Sequence, residues 1–405
     1  MAVTMRSEDY EGVETGPIRP PSEAASLFIR VSRNCPWNRC KFCPVYKGQR
    51  FSRRPLQHVL CDIDLVADAA ESLGPTRRAV REDVGGKQMS GSGAGRDRPG
   101  ADWVGADGPG VAARQPDPVA LEMARRWLAV GGRTVFLQDA NALGVPYEEL
   151  LQILTHLRKR LPWVERVTSY ARSQSILRLS AEQLAELRAA GLGRIHVGFE
   201  SGSDRVLTFM QKGATKAMHL EAGLRVKQAG IELSAYYMPG LGGRALLREN
   251  AIETADLVRR VVPDYLRLRS LAIPDRALLA KDVAAGLFEK AGDVETVQEI
   301  LLFLERVGDI PCVLMSDHIL NLIQDLNGDL ATRRGTMIST AKRFLALAPE
   351  SQRTYMVGRR LGLFAGLDDM EVSSFRARAE AECSRLGVTE ENVDALIDAL
   401  VQRFV

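Results

Sequence analysis

The sequence predicts an α/β fold in which six strand–helix units build a parallel sheet and a helical tail follows. Three observations carry this. Between residues 25 and 271, apolar runs of strand length alternate with stretches of helical period. Polar or glycine-rich residues follow nearly every strand, and three cysteines crowd the loop after the first one. Strands alternating with helices imply right-handed βαβ crossovers, and so either a parallel barrel or an open parallel sheet.

The elements read in order as follows. Residues 1–24 are polar and punctuated by Pro17, Pro20 and Pro21, an extended lead-in. Residues 25–32 form a strand that delivers the chain into the cysteine loop, which closes on a basic segment from Lys47 to Arg54 before a helix over 56–73. Residues 74–118, rich in Gly, Pro, Ser, Arg and Asp, cannot bury enough apolar area to offset their ordering entropy and read as a flexible surface insertion. Helix–strand pairs then follow at 119–130 and 133–138, 147–161 and 164–169, 181–190 and 194–199, 216–229 and 231–237, and 250–261 and 265–271. The tail, 276–405, has helical runs at 294–307, 317–327, 340–347, 370–386 and 390–404. The expected domains are the lead-in, a core over 25–275 and a mainly helical C-terminal domain over 276–405.

The segment 34–44, NCPWNRCKFCP, holds Cys35, Cys40 and Cys43. Three thiolates on one loop suit an iron–sulfur cluster that keeps one iron open for a small molecule. Zinc would want a fourth ligand, and His58 and Cys61 are offered only singly. Six cysteines in 405 residues without an apolar N-terminal signal are not a disulfide framework, so the thiols are expected reduced in a cytoplasm. Cys61, Cys312 and Cys383 lie far apart and read as small buried apolar residues. No run of about 18 apolar residues predicts a membrane span. A formal charge of +3 gives no global argument for nucleic-acid binding. A monomer is the default, since no heptad pattern is visible. In parallel α/β proteins the site lies at the carboxyl ends of the strands. Those ends carry the cysteine loop, Gln138, Asp139 and Asn141, Ser169 and Arg172, the segment 200–204, and 238–244.

With these residues on one rim, residues 25–275 resemble the radical S-adenosylmethionine (SAM) enzymes. Phe42 stands where that superfamily places an aromatic residue before the last cysteine, although the first gap, 36–39, is one residue longer than usual. The resemblance implies a partial (βα)6 TIM-like barrel and a [4Fe–4S] cluster on Cys35, Cys40 and Cys43. SAM would chelate the open iron and be cleaved reductively to a 5′-deoxyadenosyl radical that abstracts hydrogen from a small-molecule substrate. Electrons would come from a flavodoxin- or ferredoxin-type donor. Gln138, Asp139 and Asn141 replace the usual glycine-rich motif and are similar to the polar turn of methylthiotransferases. The segment 197–205, VGFESGSDR, resembles the oxygen-independent coproporphyrinogen oxidases, the elongator catalytic subunit and the methylthiotransferases. This implies that Glu200 contacts the SAM ribose and Lys212 its carboxylate. The turn 238–243, MPGLGG, resembles one that passes the adenosyl group closely, which implicates Gly240. Tyr236 and Arg269 are candidates to face the cavity. In the tail, Ser316 would cap a helix whose first turn carries Asp317, His318 and Asn321, suited to bind substrate or act as general acid or base. The alternatives are a tRNA-modifying enzyme of the same superfamily and a non-catalytic iron–sulfur or cluster-carrier protein.

Overall fold

The computed structural model describes residues 9–74 and 117–404. The expected insertion therefore falls, but for its margins, outside the described residues. All six expected strands are present: β1 (Leu27–Arg30), β4 (Thr134–Gln138), β5 (Arg166–Ala171), β6 (Leu192–Glu200), β7 (Glu232–Tyr237) and β8 (Tyr265–Leu268). Two short strands, β2 (Ser32–Arg33) and β3 (Ser52–Arg53), pair antiparallel and close the base of the cysteine loop. The main sheet runs β1-β4-β5-β6-β7-β8 with every neighbour parallel. This chain-order pairing is that of a partial (βα) barrel.

Strand alternation divides the sheet into two faces. Ile29, Leu137, Val167, Ile195, Leu233 and Leu266 face the helices in one continuous apolar core. On the inner face a row of rings crosses five strands: Phe28 to Phe136 (5.7 Å), Phe136 to Tyr170 (5.4 Å), Tyr170 to His196 (5.3 Å) and His196 to Tyr236 (5.8 Å between centroids). Side-chain caps fix where the helices start. Asp117 Oδ1 accepts from Val119 and Ala120, Ser180 and Gln183 form a capping box, and Ser203 and Thr215 cap the helices that follow them. Among the described residues no helix is long and apolar enough to cross a membrane.

The 276–405 segment departs from a purely helical reading. β9 (Val313–Met315) joins the sheet parallel to β8, and β10 (Gly328–Asp329) pairs antiparallel with β9. The expected helix at 317–327 is a loop. Ser316 caps nothing: its hydroxyl donates to the Ile323 carbonyl (2.7 Å), and its amide donates to Asn327 Oδ1 (2.7 Å). These local side-chain bonds compete with a helical ladder and win. A helix at Pro349–Arg360 was not foreseen, although Pro349 opens it at a favoured first-turn position.

The loop after β6 packs tightly on the helix Gly243–Val261. A Cβ on Gly202 would overlap the Glu253 carbonyl oxygen and stand 2.7 Å from Thr254 Cα, while the Gly202 amide donates to Thr254 Oγ1 (2.8 Å). The obstruction is backbone and has no soft rotamer to yield. Gly202→Ala is therefore expected to cost about 3 kcal/mol in chemical denaturation, at the upper end for overpacking; wild-type stability in the variant would refute this close approach.

Candidate functional site

The cysteine loop is moored on two sides. Asn34 and Asn38 take left-handed conformations (φ 67° and 46°), which asparagine tolerates better than most residues. Asn34 Nδ2 donates to the Arg50 carbonyl (2.7 Å), and Asn38 bonds the carbonyls of Tyr46 and Gln49. Toward β4, buried Asp139 accepts from the Tyr46 hydroxyl, from Arg30 Nη2 (2.7 Å) and from the Asn34 amide (3.4 Å). Toward β6, Trp37 Nε1 donates to the Gln211 carbonyl (2.7 Å), and the Lys41 amide donates to the Met210 carbonyl (2.9 Å). A Cβ on Gly213 would overlap the Trp37 ring, so only glycine admits it.

Several residues expected at the cofactor are spent on this scaffold instead. Gln138 bonds the lead-in, accepting from the Gly16 amide (2.8 Å) and donating to the carbonyls of Gly16 (3.2 Å) and Ile18 (2.6 Å). Asn141 ties the β4 and β5 loops together, accepting from the Arg172 amide (2.9 Å) and donating to Ser175 Oγ (2.8 Å). Asp139 anchors the cysteine loop. Ser169 shares the helix-facing parity of Val167 and Ala171 and is fully buried, so it points away from the rim.

Phe42, Arg172, Glu200 and Lys212 come together beside Cys40. Lys212 Nζ lies 3.0 Å from Glu200 Oε1 and 5.8 Å from the centroid of Phe42. Arg172 stacks on Trp37 (4.9 Å) and donates to the Lys212 carbonyl (3.1 Å). Burial pushes the Cys40 thiol up; Lys212 and Arg172 oppose that, while Cys43 and Cys35 add to it. Burial also works against the Lys212 ammonium, but Glu200 and Cys40 outweigh it and hold its pKa above the ordinary value. Glu200 sits at φ 64°, where the β6–β7 register shifts, a rarely populated backbone state for a residue other than glycine. A Cβ on Gly198 would overlap Glu200 Oε1 and stand 2.9 Å from Lys212 Nζ, so this glycine makes room for the pair.

The 238–243 turn is held from the tail. Buried Glu299, on the helix Asp293–Val307, accepts from the Gly240 amide (2.7 Å), the Tyr237 hydroxyl (2.6 Å) and Asn250 Nδ2 (2.7 Å). Burial pushes the Glu299 carboxyl up to about 7 from 4.5, against those three donors. The folded state therefore binds an extra proton between about 4.5 and 7. Stability from this group is full below about pH 4.5 and is lost as pH rises through about 7, on the order of 3 kcal/mol. Glu299→Gln should flatten the fall in melting temperature over that window; an unchanged pH profile would discount Glu299 as its source.

Deeper in the mouth, the Tyr170 and Tyr236 hydroxyls lie 3.1 Å apart. Arg267 donates to Asp317 Oδ2 (3.0 Å) and to Ser234 Oγ (3.2 Å). His318 Nδ1 accepts from the Leu320 amide (3.2 Å), and burial together with Arg269 lowers its pKa to about 4. The Asn321 amide donates to the His318 carbonyl (2.9 Å), but its side chain turns away, accepting from the Ser270 amide (2.9 Å) and donating to the Leu268 carbonyl (2.9 Å), and so latches the end of β8. Sequence reasoning missed Tyr170, Arg267 and Glu299. Inner-face parity on β5 and β8 was a usable signal for the first two; Glu299 lies mid-helix in the tail and gives none.

The donor set fits an iron–sulfur cluster: three free thiols share one loop, beside the cations Lys212 and Arg172. Among the described residues no three His, Cys, Asp or Glu side chains converge as ligands of a single ion do, whereas a cluster spreads its thiolates over separate irons.

Residues 108–256 match the model of the radical SAM superfamily. Among curated proteins none matches the sequence. Similar solved structures include Elp3 from the archaeon Methanocaldococcus infernus with an N-terminal deletion (13% identity, 52% of this chain and 54% of that one, TM-score 0.39). A methylornithine synthase, PylB, gives 12% identity over 73% of this chain and 66% of that one, with a TM-score of 0.41. The radical SAM methyltransferase TsrM from Kitasatospora setae gives 12% identity over 88% and 61%, with a TM-score of 0.43. The chain thus spans between about half and two thirds of the length of these structures. The family match runs through β4 to β7, the strands whose ends build most of the rim; the radical SAM superfamily that these residues match uses a [4Fe–4S] cluster and SAM.

Proposed function

We propose that the chain is a radical SAM enzyme that abstracts hydrogen from a small-molecule substrate, with Cys35, Cys40 and Cys43 holding three irons and SAM taking the fourth. The observation that carries this is the polar centre around Cys40, where a part-buried lysine–glutamate pair and Arg172 stand beside the thiol loop. Bound there, the cluster and SAM supply one-electron chemistry that the side chains lack. The side chains bind and orient. Lys212 presents a point charge suited to the SAM carboxylate, and Glu200 offers acceptors to ribose hydroxyls. Arg172 offsets the negative charge of the thiolates, and Phe42 covers the loop. Gly240, its amide already bonded to Glu299, contributes close backbone approach rather than a donor. Tyr236, Asp317 and His318 line the substrate side, while Gln138, Asp139, Asn141 and Asn321 hold the loops.

The electron donor fits an acidic flavodoxin- or ferredoxin-type protein. No Asp or Glu lies between Glu23 and Asp62, and Arg39 and Arg50 are exposed on the cysteine loop. Anaerobic reconstitution with iron and sulfide, followed by reduction in the presence of SAM, tests the proposal. Cluster absorbance and 5′-deoxyadenosine are expected. A protein that takes up the cluster and leaves SAM intact would be a carrier, and one that takes up none would end the reading.

A further inference from the structure

We propose that Arg269 binds a carboxylate group of the substrate, an inference that rests on the function proposed above. Arg269 follows the last residue of β8 and shares the parity of Tyr265 and Arg267, whose guanidinium reaches Ser234 and Asp317 on the inner side. Its amide donates to the Tyr237 carbonyl (3.0 Å), fixing the backbone at the mouth. Its charge acts on Tyr170, Tyr236 and His318 alike, in keeping with that inner-side parity. Among the described residues no carboxylate meets Arg269, whereas Arg30, Arg54, Arg267 and Arg360 are all in ion pairs.

The charges at the mouth select the anion. Lys212 is matched by Glu200 and Arg267 by Asp317. The imidazole of His318 is neutral near pH 7. Because its Nδ1 accepts from Leu320, its proton sits on Nε2, which remains a neutral donor. Arg172 faces the thiols of Cys35 and Cys40, which leaves Arg269 as the mouth cation without an opposing anion, on a planar fork that matches a carboxylate in two parallel bonds. A phosphate dianion would leave a negative charge unbalanced. The Tyr170 and Tyr236 rings provide an aromatic wall next to this subsite.

Equilibrium binding to the full chain at pH 7, followed by ligand-observed NMR, tests this with phenylacetate, phenylacetamide and phenyl phosphate as probes. Phenylacetate is expected to bind at least about tenfold more tightly than the amide, and Arg269→Gln to weaken it at least about tenfold, as loss of a charge-assisted bond predicts. Arg269→Lys should restore part of the affinity. Arg269 is exposed, so the variants should keep the wild-type melting temperature, which separates lost binding from lost fold. No phenylacetate binding by the wild type, equal binding by Arg269→Gln, or tighter binding of the amide or the phosphate would each overturn the proposal. Carboxylate binding by a protein that assembles no cluster would instead overturn the proposed function and leave this subsite standing.

Discussion

Cys40→Ala is expected to abolish both the cluster absorbance and the formation of 5′-deoxyadenosine, leaving a folded protein. Cys40 is the thiol on which the surrounding charges converge: Lys212 and Arg172 favour its thiolate, and the charges of Cys43 and Cys35 reach it. Two remaining thiolates cannot hold a cluster that takes three of its ligands from this loop. The contrast is Cys383→Ala. Cys383 is a half-buried thiol on the helix Ser373–Leu386, remote in sequence from the loop, and its loss should leave the absorbance intact. Iron content, absorbance and product are read on the same preparation. A Cys40→Ala protein with wild-type iron and product would remove this cysteine from the ligand set.

Asp139→Ala should lose most of its cluster content even though all three cysteines remain. The carboxylate is fully buried and accepts from the Tyr46 hydroxyl, the Arg30 guanidinium and the Asn34 amide, so it joins the end of β4 to both shoulders of the loop. Its removal strands the buried Tyr46 hydroxyl and leaves Arg30 with Glu14 as its ion-pair partner. Breaking a buried pair in this way costs about 3 kcal/mol or more. Asp139→Asn keeps an acceptor for Tyr46 and should recover part of the loss. Iron per folded chain separates a positioning role from simple unfolding. If Asp139→Ala is destabilised and still binds a full complement of iron, the loop does not depend on this anchor.

Much of the fold was legible because it is written in local periodicity. The six strands stand where alternation and turn residues place them, since an apolar residue at every second position has only one way to face a helical layer. The tail was legible where helical period ruled, as at Asp293–Val307, and illegible at 317–327. There Ser316 bonds Ile323 and Asn327 within the loop and Asn321 bonds Ser270 across the fold, rather than along a helix. The rim was legible as a set of strand ends but not as a set of roles. Gln138, Asp139, Asn141 and Asn321 are polar residues at strand ends or in adjoining loops, as any ligand there would be, and only their hydrogen-bond partners show that they brace the scaffold.

The sequence by itself determined the α/β class, the order of the six units and the three cysteines on the first loop, because these depend on periodicity and on residues adjacent in the chain. Only the tertiary structure decided that β9 extends the sheet, that Glu299 from the tail holds the 238–243 turn, and that Glu200 and Lys212 meet beside Cys40 while Arg267 meets Asp317 deeper in the mouth. Charge pairing acts over a few ångströms of space and is indifferent to separation along the chain. The chemistry of the rim is therefore set by which side chains the barrel brings face to face.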